Sequence, residues 1–146
     1  MTKHVRVYTD GGARGNPGPA RSGAVIKALH DDCSEGETIA VVNKFLGHAT
    51  NNIAEYEAVI IGLTKARELD AEKVELVMDS ELVVKQLKGE YRVKNPDLAQ
   101  KFLQVHNLVL SFKEFTVRHV LREKNKEADA LVNDAIDKNT KMLNYV

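Results

Sequence analysis

The sequence predicts an α/β fold, a mixed sheet covered by helices. Three observations carry this. Short runs alternate apolar and polar residues as strands do, longer ones repeat apolar residues near every 3.6 positions, and the two kinds follow the order β-β-β-α-β-α-α-β-α. The 146 residues suit one domain spanning 1–146, because a chain of this size buries roughly two-thirds of its unfolded surface. Apolar residues at 43% and charged residues at 29% are ordinary for a globular protein and set aside wholesale disorder. No internal repeat or low-complexity linker marks a domain boundary.

Each element has a local cause. His4–Asp10 (HVRVYTD) alternates as a strand and ends at Asp10, where four glycines, two prolines and Asn16 between Gly11 and Pro19 predict a turn-rich loop. Ser22–Leu29 and Thr38–Phe45 read as strands, and the acidic, turn-forming HDDCSEGE between them predicts an antiparallel hairpin. Asn51 or Asn52 is expected to cap a helix whose packing face holds Ile53, Tyr56, Ile60, Leu63 and Leu69. Val74–Met78 is a short apolar strand ending at Asp79. Ser80 caps the helix that follows to about Leu87, and Gly89 helps to stop it. After the basic connection KGEYRVKNP, Asn95 or Pro96 opens a helix to about Leu110. Phe115–Val120 reads as a strand, LREKN as a loop, and Glu127 to about Lys138 as a helix. Residues 139–146 form a tail that either packs or frays.

The composition narrows the setting. Cys33 is alone, which leaves no internal disulfide and no cysteine metal cluster. No apolar stretch approaches the roughly 20 residues of a membrane span, and the opening MTKHVRVYTDGG carries no secretion signal, so a cytoplasmic location without a membrane partner is expected. The net charge is zero, 21 basic against 21 acidic residues, and shows no overall basic footprint for nucleic acid. The balance is a sum of opposed segments. Residues 1–30 carry five basic to one acidic, residues 31–57 one to six, and residues 91–126 eight to three.

Four acidic residues stand out by context. Asp10 and Asp79 end strands; if those strands are parallel neighbours, both carboxylates meet outside the carboxyl ends, where open α/β sheets place ligands. Glu55, a turn into its helix, and Asp129, near the start of the last, join them if those helix ends approach the same edge. Clustered carboxylates raise one another's pKa unless a cation neutralises them, and hard ions such as Mg²⁺ take oxygen ligands. Two such ions activate water and stabilise the leaving oxygen in phosphodiester hydrolysis. No grouped His and Cys ligands favour Zn²⁺, and the glycine loop lacks nucleotide-binding spacing. Taken singly, each acid has a plainer reading: a cap or turn for Asp10 and Asp79, a solvated helix position for Glu55, a helix-dipole partner for Asp129.

Four blocks resemble the type 1 ribonucleases H, which cut the RNA strand of RNA–DNA hybrids. They are YTDGGARGNPGPARSGAVI, HATNNIAEYEAVIIGL, VMDSELVVKQLKG and VRHVLREKNKEADALVNDA, in order and covering residues 5 to about 135. The resemblance implies a ribonuclease H-like five-stranded mixed sheet flanked by helices. It also implies a two-ion Mg²⁺ or Mn²⁺ mechanism with Asp10, Glu55, Asp79 and Asp129 as metal ligands, and products with 3′-hydroxyl and 5′-phosphate ends. His119 would help to admit water or release product; otherwise it is a strand-end surface histidine. Asn16, Asn51, Asn52 and Asn125, with the backbone of Gly12, Ala13 and Arg14, match substrate-contacting positions. Short amides suit a wide groove displaying 2′-hydroxyls, although Asn51 and Asn52 are also natural helix caps.

The chain departs from many relatives in one respect. It has no Trp and no basic handle after the third block, so it resembles the short form. Lys88, Arg92, Lys94 and Lys101 are the nearest auxiliary phosphate contacts, with a solvated charge run as the plainer reading for Lys88 and Lys101. Some handle-less relatives also cut double-stranded RNA, which stands as the alternative activity. A catalytically silent nucleic-acid-binding module and a nuclease of another substrate class are further alternatives, disfavoured by the complete carboxylate set and by the GNPGP and TNN segments.

Overall fold

The computed structural model describes residues 4–130 and residue 133. Five strands are present: β1 (His4–Ala13), β2 (Gly18–Leu29), β3 (Glu35–Ala49), β4 (Lys73–Met78) and β5 (Glu114–His119). They form one sheet in the order β3-β2-β1-β4-β5. β1 lies at its centre, antiparallel to β2 on one side and parallel to β4 on the other. β3 adds antiparallel to β2, and β5 parallel to β4. The helices are α1 (Asn51–Glu68), α2 (Glu81–Leu87) and α3 (Pro96–Val109). A 3-10 turn, Arg122–Lys124, precedes a helix that begins at residue 126.

The core follows from the alternation. Val5 and Val7 of β1, Ala24 and Ile26 of β2, and Val74, Leu76 and Met78 of β4 are buried beneath Tyr56, Val59 and Leu63 of α1 and Val105 and Leu108 of α3. Burying one such aliphatic side chain fully is worth about 1.5–3 kcal/mol. Ile53, Ile60 and Leu69, expected on the packing face of α1, lie partly buried at its margin. Gly62 lets α1 sit close, because a Cβ there would fall 2.9 Å from Val7 and 3.1 Å from Ala24. No helix among the described residues is long and apolar enough to cross a membrane.

The caps fit the residue types. Ser80 accepts from the Val83 N–H at 3.3 Å, and Asn95 from those of Asp97 and Leu98 at 2.9 and 3.2 Å. Gly89, at φ +80°, takes the left-handed conformation just past α2.

Three local expectations are corrected. The segment after Asp10 is mostly strand: β1 runs on to Ala13 and β2 starts at Gly18, since ladder hydrogen bonds need only backbone. Only residues 14–17 turn, with Gly15 at φ +83° and a cis Asn16–Pro17 bond. Thr50, not Asn51 or Asn52, caps α1, its hydroxyl accepting from the Ile53 N–H, while both asparagines lie inside the first turn. LREKN is partly the 3-10 turn rather than irregular loop. The predicted end of the last helix near Lys138 and the tail 139–146 lie outside the described residues.

Candidate active site

Asp10 and Asp79 reach one edge because β1 and β4 are parallel neighbours, with Thr9 paired to Met78 one residue earlier on each. The first turn of α1 brings Glu55 to the same edge, and it can do so only because residue 11 is glycine. A Cβ there would lie 2.2 Å from the Ala54 backbone and 2.5 Å from the Glu55 nitrogen. The Ser22 hydroxyl fixes this approach by donating to the Ala54 carbonyl at 2.6 Å. Asp129 enters from the helix beginning at residue 126, where its N–H donates to the Asn125 carbonyl at 3.1 Å.

Asp10, Glu55 and Asp129 line one cleft with Gly12, Ala13, Arg14, Asn51 and Arg122. Asp79 belongs to the same group electrostatically. Burial pushes the Asp10 carboxyl up to about 8, with further contributions from the Asp79 charge and from a hydrogen bond and charge of Asp129. Burial also raises Glu55 to about 7, and the Asp79 charge adds to this, while a hydrogen bond with Ser80 opposes it. Ser80 does two jobs: its oxygen accepts from Val83 N–H as the α2 cap, which frees its own proton for Glu55. Arg122 lowers both carboxyls and stands 3.9 Å from Asp79, yet its side chain is 77% exposed, so it compensates little of the buried negative charge.

The asparagines divide. Asn51 accepts from the Ala13 N–H at 2.8 Å, and its own N–H donates to Asn16 Oδ1 at 3.1 Å, latching the β1–β2 hairpin to α1. Asn16 and Asn52 line a second polar recess with Thr50 and Asn95. Asn125 is not a surface contact. It is 1% exposed and donates to the Thr9 carbonyl at 2.8 Å and to Asp79 at 3.4 Å, so it ties the 3-10 turn to the ends of β1 and β4.

Lys101 is engaged within the fold: its ammonium and that of Lys44 are both held by the buried Glu57. Lys88, Arg92 and Lys94 are all exposed, on the 88–95 connection that alone separates α2 from α3. His119 ends β5 opposite Met78, near enough to Glu81 of α2 to lower the pKa of its carboxyl in a minor way, after Lys85.

Two residues escaped the sequence reading. Arg122 is a cation beside three of the carboxylates, and its position three residues after His119, before Asp129, was the available signal. Tyr91 is 49% exposed, with Lys85 4.9 Å above its ring; an aromatic residue inside a basic run is the pattern that marks it.

The chemistry of the carboxylate group suits a hard divalent ion. The donors are all oxygen, and burial and mutual repulsion raise two of them to about 8 and about 7, so that both are partly protonated at neutral pH. No three Asp, Glu, His or Cys side chains among the described residues already clasp a common point. Mg²⁺ keeps several waters and needs only one or two carboxylates, so this open arrangement fits a hydrated ion and not a tight protein cage.

Comparison with known proteins agrees with this geometry. The family model described as reverse transcriptase-like matches residues 8–135. The N-terminal ribonuclease H domain of a Mycobacterium tuberculosis protein superposes with a TM-score of 0.89 at 40% identity, covering 97% of this chain and 99% of that one. Ribonuclease H1 of Halobacterium salinarum gives 0.85 at 41% identity, covering 92% and 98%. LC11 ribonuclease H1, solved in complex with an RNA/DNA hybrid, gives 0.84 at 42%, covering 93% and 99%. The chain spans only part of some curated relatives: matches of 133 residues cover 35% of the Mycobacterium tuberculosis bifunctional protein and 64% of the Halobacterium salinarum ribonuclease HI. With these matches, the five-stranded mixed sheet and the short connection where many relatives carry a handle, the chain belongs to the type 1 ribonuclease H family.

Proposed function

We propose that this chain is a metal-dependent endonuclease that hydrolyses the RNA strand of RNA–DNA hybrids, leaving 3′-hydroxyl and 5′-phosphate ends. One observation carries the reading. Four acidic side chains from four separate segments meet at one sheet edge, and burial and repulsion hold two of them well above the usual carboxylate range. Such a group gains most from a bound divalent cation. LC11 ribonuclease H1, 42% identical, binds an RNA/DNA hybrid, which supports the same substrate here.

Asp10, Glu55, Asp79 and Asp129 would hold two Mg²⁺ or Mn²⁺ ions. Such ions, once bound, activate a water and stabilise the leaving oxygen. The chain's own residues position everything else. Ser80 orients Glu55, Asn125 fixes Asp79, and the Asn51–Ala13–Asn16 latch sets the hairpin beside the cleft. The amides of Asn16, Asn51 and Asn52 and the backbone of Gly12, Ala13 and Arg14 would face the groove of the hybrid, where 2′-hydroxyls distinguish RNA. Arg92 and Lys94, with Lys88, would take phosphates of the paired strand. His119 would act at product release. The cytoplasm is the proposed setting, consistent with a lone, exposed Cys33.

The test uses end-labelled hybrid, duplex RNA, duplex DNA and single-stranded RNA, each with Mg²⁺, Mn²⁺ or chelator. Metal-dependent cutting of the hybrid alone is expected. Failure to cut it with either ion overturns the proposal, and cutting of duplex RNA widens it to a broader ribonuclease.

A further inference from the structure

The face of the sheet opposite α1 carries a cation that the reading above does not use. Residues paired across an antiparallel ladder point to the same side, so Asp10, Gly23 and Asn43 form one row on this face. Gly12, Arg21 and Phe45 form the next row toward the hairpin. Arg21 is therefore two residues along and one strand across from Asp10, about 8 Å between backbones at ordinary strand spacings. Gly12 and Gly23 carry no side chains between them, and beside Gly12 a Cβ would meet nothing within 4 Å.

The guanidinium is held in place. Nη2 donates to Asn43 Oδ1, and the plane lies over the Phe45 ring with 5.8 Å from its carbon to the ring centroid. No ion pair or carboxylate charge acts on Arg21 among the described residues; burial alone accounts for its lowered pKa. A surface arginine of an evenly charged protein ordinarily pairs with a carboxylate, as Arg6 does with Glu35 and Glu75. Among the described residues Arg21 instead lies over an aromatic ring, is tethered by an amide and meets no carboxylate, an arrangement suited to a planar fork meeting phosphate oxygens.

We propose that Arg21, seated on Phe45 and tethered by Asn43, binds a backbone phosphate of the cleaved RNA strand within one or two nucleotides of the scissile bond, two residues along and one strand across from Asp10. The strand is fixed by continuity, because the phosphate at Asp10 belongs to the strand being cut. This inference rests on the hybrid-nuclease reading and adds to it a specific contact that offsets part of the grip lost with the handle.

The test combines a protein change and a substrate change. Hybrid binding is measured by fluorescence anisotropy across a salt series, in the Asp10→Asn background, with Arg21 intact, Arg21→Ala or Arg21→Lys. Arg21→Ala is expected to weaken binding about five- to tenfold near 0.1 M salt and to reduce the slope of log K against log salt by about 1. Arg21→Lys should keep the slope and recover affinity only in part, because lysine neither forks nor stacks. Hybrids with one neutral methylphosphonate, stepped along the RNA strand, locate the contact. One position near the scissile bond should cost the Arg21 protein as much as the alanine change and cost Arg21→Ala nothing further. An unchanged slope, or additive losses at every position, overturns the inference. The scan on the protein with Arg21 intact still decides if the alanine variant folds poorly. Absence of hybrid cleavage by the unmodified chain removes the underlying functional reading instead, so the two failures are distinct.

Discussion

At the scale of single residues, Asp10 has the most to reveal. Its folded pKa of about 8 lies above the ordinary 3.8, chiefly through burial and then through Asp79 and Asp129. A carboxyl raised in this way stabilises the fold while protonated. Between about pH 4 and pH 8 the folded state holds a proton that the unfolded state has lost, so metal-free stability falls as pH rises through that window. Asp10→Asn removes this contribution without removing volume. With chelator present, the variant should melt above the parent at pH 8, and the difference should close toward pH 4. Mg²⁺ should raise the parent's melting temperature at pH 8 far more than the variant's, and turnover should vanish in the variant. A variant that stays fully active, or a melting difference that does not change with pH, removes Asp10 from the metal site. Glu55, raised to about 7, makes the same demand one unit lower, so Mg²⁺ affinity measured by calorimetry should climb between pH 6 and pH 8.

At the scale of elements, the position of α1 against β1 decides whether the carboxylates meet. Gly11→Ala places a methyl group 2.2 Å from the Ala54 backbone, which is main chain and cannot rotate away. Overpacking of this kind costs about 1–3 kcal/mol, and relief requires the start of α1 to retreat from Asp10. Urea unfolding should show that loss, and Mg²⁺ affinity should fall with it; an alanine variant with parental metal binding contradicts this account. The same elements show what the sequence made legible. Strand periodicity, the Ser80 and Asn95 caps and the Gly89 stop could be read locally, because each depends on neighbours a few positions away, whereas the four carboxylates, which taken singly have plainer readings, became one set only through the resemblance of whole blocks. The length of the β1–β2 hairpin could not, since Gly11, Gly12 and Gly18 pair through backbone that side-chain pattern does not report. Thr50 and Asn51 compete for one cap a residue apart, and the latch to Ala13 takes Asn51 away from it. Asn125 and Lys101 have partners that the sequence could not report, for a different reason. Their partners, Thr9 and Glu57, are 116 and 44 residues distant, and burial at that range is a property of the assembled fold.

For the whole molecule, neutrality has become a statement about where the charges go. Glu57 draws Lys44 of β3 and Lys101 of α3 onto α1, so two of the chain's cations serve cohesion instead of substrate. Lys101→Ala should therefore lower stability by about 1–3 kcal/mol through a partly unpaired buried carboxylate while leaving the salt slope of hybrid binding unchanged. Arg92→Ala and Lys94→Ala should do the reverse, and a salt slope that falls with Lys101→Ala returns that lysine to the binding surface. The central place of β1 carries a last consequence, for the order in which the molecule gives way. A strand hydrogen-bonded on both sides has amides that exchange with solvent only when the sheet itself opens, whereas turn 14–17 and the 88–95 connection exchange through small local fluctuations. Deuterium uptake should thus be slowest in residues 5–9, just before Asp10, and fastest in the segments proposed to hold the nucleic acid. On warming, such a molecule loses its hold on substrate while its carboxylate centre is still assembled, so its working temperature ceiling is set by grip and not by unfolding.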